Sequence, residues 1–276
     1  MDVPFYSPEY RQDTLDRVLA ALEADERIIG VLVVGSGAVG FDDDYSDIDL
    51  CIVCPDDQTH AIYQDWQGRF EKLLSVIHCC PVTYSPSSYL YALLLDGFLE
   101  LDAGFIGIGS LAAKRERWKV ALDRSGKIAS IMTASRESRP PTDLKFEYLR
   151  RVEGIWHYVL HVGAALRRGQ PWKALHYLET IRNRTIELAV LRRGLDIGHF
   201  RDADRLPEDL LAELQETIPT KVEDSEIIRV LERAIGCFFR EAQEYDRMLA
   251  LDYSATLEPR IREFLGLLRG ENHVKT

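Results

Sequence analysis

An α+β domain followed by an all-α one is the fold class this sequence predicts, and three observations carry it. To about residue 140, short β-branched or alternating runs interleave with stretches of helical apolar spacing. A polar segment, "SRESRPPTD" at 135–143, then interrupts the pattern with Pro140-Pro141. Beyond it, apolar residues recur almost entirely at helical spacing. These shifts place one domain at 1–138 and a helical-bundle domain at 139–276.

Taken in order, "SPEYRQDTLDRVLAALEAD" spaces Leu15, Val18, Leu19 and Leu22 as an amphipathic helix. "RIIGVLVVG" is β-branched and predicts a buried strand. In "SDIDLCIV", Asp47, Asp49 and Cys51 alternate with Ile48, Leu50 and Ile52, which predicts a second strand. "THAIYQDWQGRFEKLLSVIH" reads as a helix, "CCPVTYS" as a short strand, and "SSYLYALLLDG" as a helix stopped by Gly97. "FLELDAGFIGI" predicts a strand with Glu100 and Asp102 on one face, and "WKVALDRSGKI" a strand entering a turn. In the second half, "DLKFEYLRRVEGIWHYVLHVGAALRRG" reads as one helix with Leu149, Val152, Trp156, Val159 and Leu160 inward. Tyr148, Trp156 and Trp172 are expected in the core. "QPWKALHYLETIRNRTIELAVLRRG" is a second helix, opened by Pro171 and closed by Gly194, with two or three more after "GHFRDADRLPED".

Composition narrows the function. The 276 residues carry a net charge of −11, against the basic surplus of a nucleic-acid binder. Residues 1–140 hold 13 Lys and Arg against 22 Asp and Glu, whereas residues 145–205 hold 12 against 7. An acidic total suits a cationic small substrate. No apolar run reaches the roughly 20 residues of a membrane helix, and the start lacks a signal-peptide pattern. A cytoplasmic protein, with no membrane partner, is the expectation. Five cysteines, an odd number, argue against a disulfide framework. Cys51-x-x-Cys54 lies in an apolar run, where cysteine acts as a small hydrophobe.

The most informative stretch is "VLVVGSGAVGFDDDYSDIDLCIV" at 31–53. Gly35, Gly37 and Gly40 spell the dinucleotide-binding G-x-G-x-x-G, and Asp56 and Asp57 fall where its ribose acid would be. That fingerprint needs a crossover helix of ten or more residues before the next strand. Only "FDDDYS" separates Gly40 from Asp47, so the dinucleotide reading fails. The alternative takes Gly35-Ser36 together with Asp47-Ile48-Asp49. Residues two apart in a strand point the same way, so Asp47 and Asp49 stand side by side. Hard divalent cations relieve the repulsion between such carboxylates. A glycine turn with the Ser36 hydroxyl can hold phosphate oxygens. Asp42, Asp43 and Asp44 read as a solvated acidic loop.

This stretch closely resembles the signature of the DNA polymerase beta-like nucleotidyltransferase superfamily: Gly-Ser, about ten residues, then an Asp-x-Asp strand. The alternating order, the helical second half and "GQPWKALHYLETIRN" resemble its aminoglycoside and lincosamide branch. The resemblance implies a polymerase beta-like mixed sheet with helices, then a helical bundle. It implies two Mg²⁺ ions held by Asp47, Asp49 and Asp102, with Asp102 or Glu100 as general base. It implies ATP or another NTP with its phosphates over Gly35 and Ser36, and an antibiotic-resistance enzyme whose acceptor is a small hydroxylated, cationic molecule. Lys173 and Arg182, about two and a half helical turns apart, are candidate cations for the triphosphate. A protein or RNA acceptor, or a non-catalytic nucleotide binder, are the alternatives. Monomer and homodimer are both open.

Overall fold

The computed structural model describes residues 5–41, 43–113, 117–138 and 140–270. They form two compact units, 1–140 and 141–276.

In the first unit, α1 (Pro8–Glu23) starts on a Ser7 cap, whose hydroxyl accepts the Tyr10 N–H at 3.1 Å. It leads into β1 (Gly30–Val34), a one-turn 3₁₀ helix at Gly35–Val39, and β2 (Ile48–Cys54). Then follow α2 (Thr59–Leu73), β3 (Val76–Ser85), β4 (Ser88–Leu95), β5 (Glu100–Gly107), β6 (Trp118–Asp123) and α3 (Ile128–Glu137). The strands form one mixed sheet in the order β3-β4-β5-β2-β1-β6, parallel between β2 and β5 and antiparallel elsewhere. Because β1 and β2 are antiparallel neighbours, no crossover helix joins them, as the short spacing required. Pro81 is tolerated because β3 is an edge strand.

One sheet face packs Ile48, Leu50, Ile52, Leu101, Ala103 and Phe105 against Val18, Leu22, Trp66 and Phe70 of α1 and α2. The other packs Leu32, Val53 and Ile106 against Ile128 and Met132 of α3. "SSYLYALLLDG" is strand β4, not a helix. Its Tyr89, Tyr91, Leu93 and Leu95 are buried at period two. Pairing with β3 and β5 on both sides overrides the helix propensity of its Leu and Ala residues. Helix α3 was not predicted, and it takes in the first residues of the polar "SRESRPPTD" segment.

The α1–β1 junction is held by Asp25, only 6% exposed. Its carboxylate accepts from Arg27 Nε at 2.9 Å, Arg27 NH2 at 2.7 Å and Trp66 Nε1 at 3.1 Å. Hydrogen bonding by Arg27, above all, lowers its pKa to about 2. The stability this gives is complete above the unfolded-state value near 4. It is lost as pH falls from there towards about 2. Asp25→Asn should therefore lower stability at pH 7 and flatten the acid limb between about pH 4 and pH 2. Urea unfolding across that range checks it, and an unchanged limb refutes it.

The second unit is helical: α4 (Leu144–Val152), α5 (Ile155–Arg167), α6 (Pro171–Arg192), α7 (Glu208–Gln215), α8 (Asp224–Leu249) and α9 (Tyr253–Leu268). The single helix expected over 143–169 breaks at Glu153-Gly154, and the inward stripe is Tyr148, Val152, Ile155, Val159 and Val162. Tyr148 is buried as expected. Trp156 and Trp172, expected in the core, are instead 45% and 75% exposed. Buried polar groups are paired: Asp246 accepts from Tyr148 Oη at 2.7 Å and from Ser254 Oγ at 2.6 Å. Among the described residues, no helix is long and apolar enough to cross a membrane.

Candidate active site

The site is built where the C-terminal end of β1 meets the N-terminal ends of β2, β5 and β6. Val34, the last residue of β1, pairs with Asp49 on one side and Trp118 on the other. The chain then turns through Gly35, whose φ of 69° lies in the left-handed region where a Cβ is strained. Gly35 N–H donates to the Arg117 carbonyl at 3.2 Å. Ser36, half-buried, sits in the 3₁₀ turn that follows, so the glycine-serine turn begins one residue beyond the strand partner of Asp49.

The parallel pairing of β2 with β5 sets Asp49 directly opposite Asp102. Partners on neighbouring strands are about 4.8 Å apart. In-register residues project from the same sheet face, here the α3 side. Asp49 is 7% exposed and Asp102 half-buried. Asp47, half-buried, immediately precedes β2, and Glu100, exposed, opens β5. Asp47 and Glu100 each lie one residue before the first positions paired between these two strands, Ile48 and Leu101.

Among the described residues, no three His, Cys, Asp or Glu side chains converge into a ready-made metal cage. Magnesium does not require one. It binds through one or two carboxylates while substrate phosphates and water complete its octahedron. Two partly buried carboxylates side by side, an oxygen-only donor set, fit that coordination.

A profile of the streptomycin adenylyltransferase family matches residues 9–268. The chain belongs to that family. It is a nucleotidyltransferase enzyme. Among solved structures, an aminoglycoside 6-adenyltransferase from Bacillus subtilis is similar to the enzyme over 92% of this chain and 97% of that one, at 15% identity and a TM-score of 0.41. No curated protein sequence matches the enzyme.

Other sequence candidates have structural work. In the enzyme, Asp56 follows the end of β2 opposite Asp49 and accepts the Gly109 N–H at 3.0 Å. Arg182 of α6 donates to Glu179 at 2.6 Å and to the Thr217 carbonyl at 3.1 Å, within its own unit. Lys173 is exposed on the same helix. No two of the five cysteines form a disulfide, and burial pushes the Cys54 thiol up to about 12, which leaves it unreactive. Asp42 lies outside the described residues. Asp43 is not merely solvated: the Tyr45 N–H and the Ser46 hydroxyl bind its carboxylate at 2.7 and 2.9 Å and hold its pKa below the usual range.

Sequence reasoning missed Tyr6 and Arg11, which reach this loop from the N-terminal segment. Arg11 was legible in principle, because it falls on the inward stripe Arg11, Leu15, Val18, Leu22 of α1.

Proposed function

We propose that the enzyme transfers AMP from ATP, with Mg²⁺, to a hydroxyl of a small cationic antibiotic of the aminoglycoside or lincosamide kind, releasing pyrophosphate. One observation carries the reading: two carboxylates in register on adjacent strands, Asp49 and Asp102, beside a glycine-serine turn in a streptomycin adenylyltransferase family chain.

In this reading Asp49 and Asp102 hold the metal, with Asp47 at the mouth of the site. A Mg²⁺ ion held there would supply charge neutralisation for the triphosphate and leaving pyrophosphate and would lower the pKa of the acceptor hydroxyl. The Ser36 hydroxyl donates to a phosphate oxygen, and Gly35 lets the backbone turn tightly beneath it. Asp102 accepts the acceptor's proton as the hydroxyl attacks the α-phosphorus. Asp102 is preferred to Glu100 because it stands opposite Asp49.

The test is a panel of aminoglycosides and lincosamides incubated with each NTP and Mg²⁺ and read by mass spectrometry. A gain of one AMP on a panel member, with stoichiometric pyrophosphate, is expected. No gain on any of them, or a gain that does not need Mg²⁺, overturns the reading.

A further inference from the structure

One buried cation holds both ends of the loop that joins the phosphate turn to the carboxylate strand. Arg11 of α1 is 3% exposed. Its NH1 donates to the Ser46 carbonyl at 2.9 Å and its NH2 to the Asp43 carbonyl at 3.0 Å. Its guanidinium carbon lies 3.9 Å from the centroid of the Phe41 ring, within cation–π range.

These contacts are not scattered. Ser46 is the residue before Asp47. Phe41 N–H donates to the Ser36 carbonyl at 3.0 Å, which ties the aromatic end of the loop to the phosphate turn. Phe41 also holds a φ of 65°, left-handed for a non-glycine residue. That conformation costs energy unless its surroundings enforce it, and the guanidinium stacked on its ring supplies such a surrounding. Tyr6 Oη adds a second bond to the Ser46 carbonyl at 2.7 Å. The loop also carries Asp43, Asp44 and Asp47, so a buried positive charge beneath it offsets repulsion that would otherwise spread the segment.

We propose that Arg11 is a positioning residue for the nucleotide site: it sets the spacing between the Gly35-Ser36 turn and the Asp47–Asp49 carboxylates. The inference rests on the ATP reading given above. Arg11 touches neither nucleotide nor metal and acts through Phe41, Asp43 and Ser46. Lysine cannot replace it fully, because an ammonium lacks both the two-pronged fork that spans two carbonyls and the flat face that stacks on Phe41.

The experiment compares the full-length wild type with Arg11→Met, Arg11→Lys and Phe41→Leu. Calorimetry gives the Kd for ATP with and without Mg²⁺, steady-state assays give kcat and KM, and a thermal melt gives the folded fraction. Arg11→Met is expected to weaken Mg²⁺-dependent ATP binding by about tenfold or more, the scale on which small misplacements in a reacting site are felt. Arg11→Lys should recover part of that loss, and Phe41→Leu should fall between. A purely structural role moves only the melt and leaves Kd and kcat per folded molecule unchanged, and that result overturns the proposal. Should Arg11→Met not fold, Arg11→Lys and Phe41→Leu decide, and wild-type Kd values in both overturn it equally. If wild-type protein itself fails to bind Mg·ATP, the ATP reading fails and the Arg11 inference with it. Wild-type binding that survives intact in the variants sinks Arg11 alone.

Discussion

Asp49→Asn is expected to lower kcat/KM for nucleotidyl transfer by at least about a hundredfold to a thousandfold, the loss typical of removing one charge-stabilising group from a reacting site. The protein should still fold. Asparagine has nearly the same shape, so the packing between β1 and β5 survives. The melting temperature should therefore change little. Asp49 is buried and stands directly opposite Asp102 in the sheet, the juxtaposition on which the metal assignment rests. Parallel measurement of activity and thermal unfolding checks both halves. Full activity in a folded Asp49→Asn variant refutes the metal assignment, and an unfolded one refutes the claim that the residue serves chemistry.

Asp102→Asn should cause a loss of the same order, about a hundredfold or more, whereas Glu100→Gln should change kcat/KM by about twofold at most, as for an ordinary surface substitution. The difference rests on register. Asp102 lies opposite Asp49 and is half-buried, while Glu100 is exposed and opens β5 before the segment that pairs with β2. If Asp102 is also the base, its loss should lower kcat further than the loss of Asp49 does, while both raise KM for ATP. Equal losses in both variants, or a larger one in Glu100→Gln, would transfer the role to Glu100.

The sequence carried some of this and hid the rest for physical reasons. Strands β1, β2 and β5 were legible because each has its own alternation or run of apolar residues. The face on which Asp49 stands was legible because it depends only on the two-residue alternation within β2, whereas Asp47, expected in the same strand, falls just before it. Strand β4 was not, because "YLYALLL" is apolar on both faces, which erases the period-two signal. The choice between Glu100 and Asp102 was not legible either. It depends on how β5 registers against β2, about fifty residues earlier in the chain, and no local pattern encodes that. Trp156 was misplaced because the buried stripe Tyr148, Val152, Ile155, Val159, Val162 leaves it one position outside, and a run apolar at Ile155 and Trp156 alike does not say which of the two turns inward. Arg11 shows the opposite failure. It stands on the apolar stripe of α1, and an arginine on such a stripe has to be paired. Its leucines alone are enough to predict the helix, so the arginine among them passes unnoticed.

The central claim is that Asp49 and Asp102 hold the metal that brings ATP to the Gly35-Ser36 turn. Calorimetric titration of ATP into wild type, Asp49→Asn and Asp102→Asn, each with and without Mg²⁺, tests it most directly. The account predicts that Mg²⁺ tightens ATP binding to the wild type and that either substitution abolishes the tightening while leaving the weak, metal-free binding in place. An equal gain from Mg²⁺ in all three proteins would contradict it.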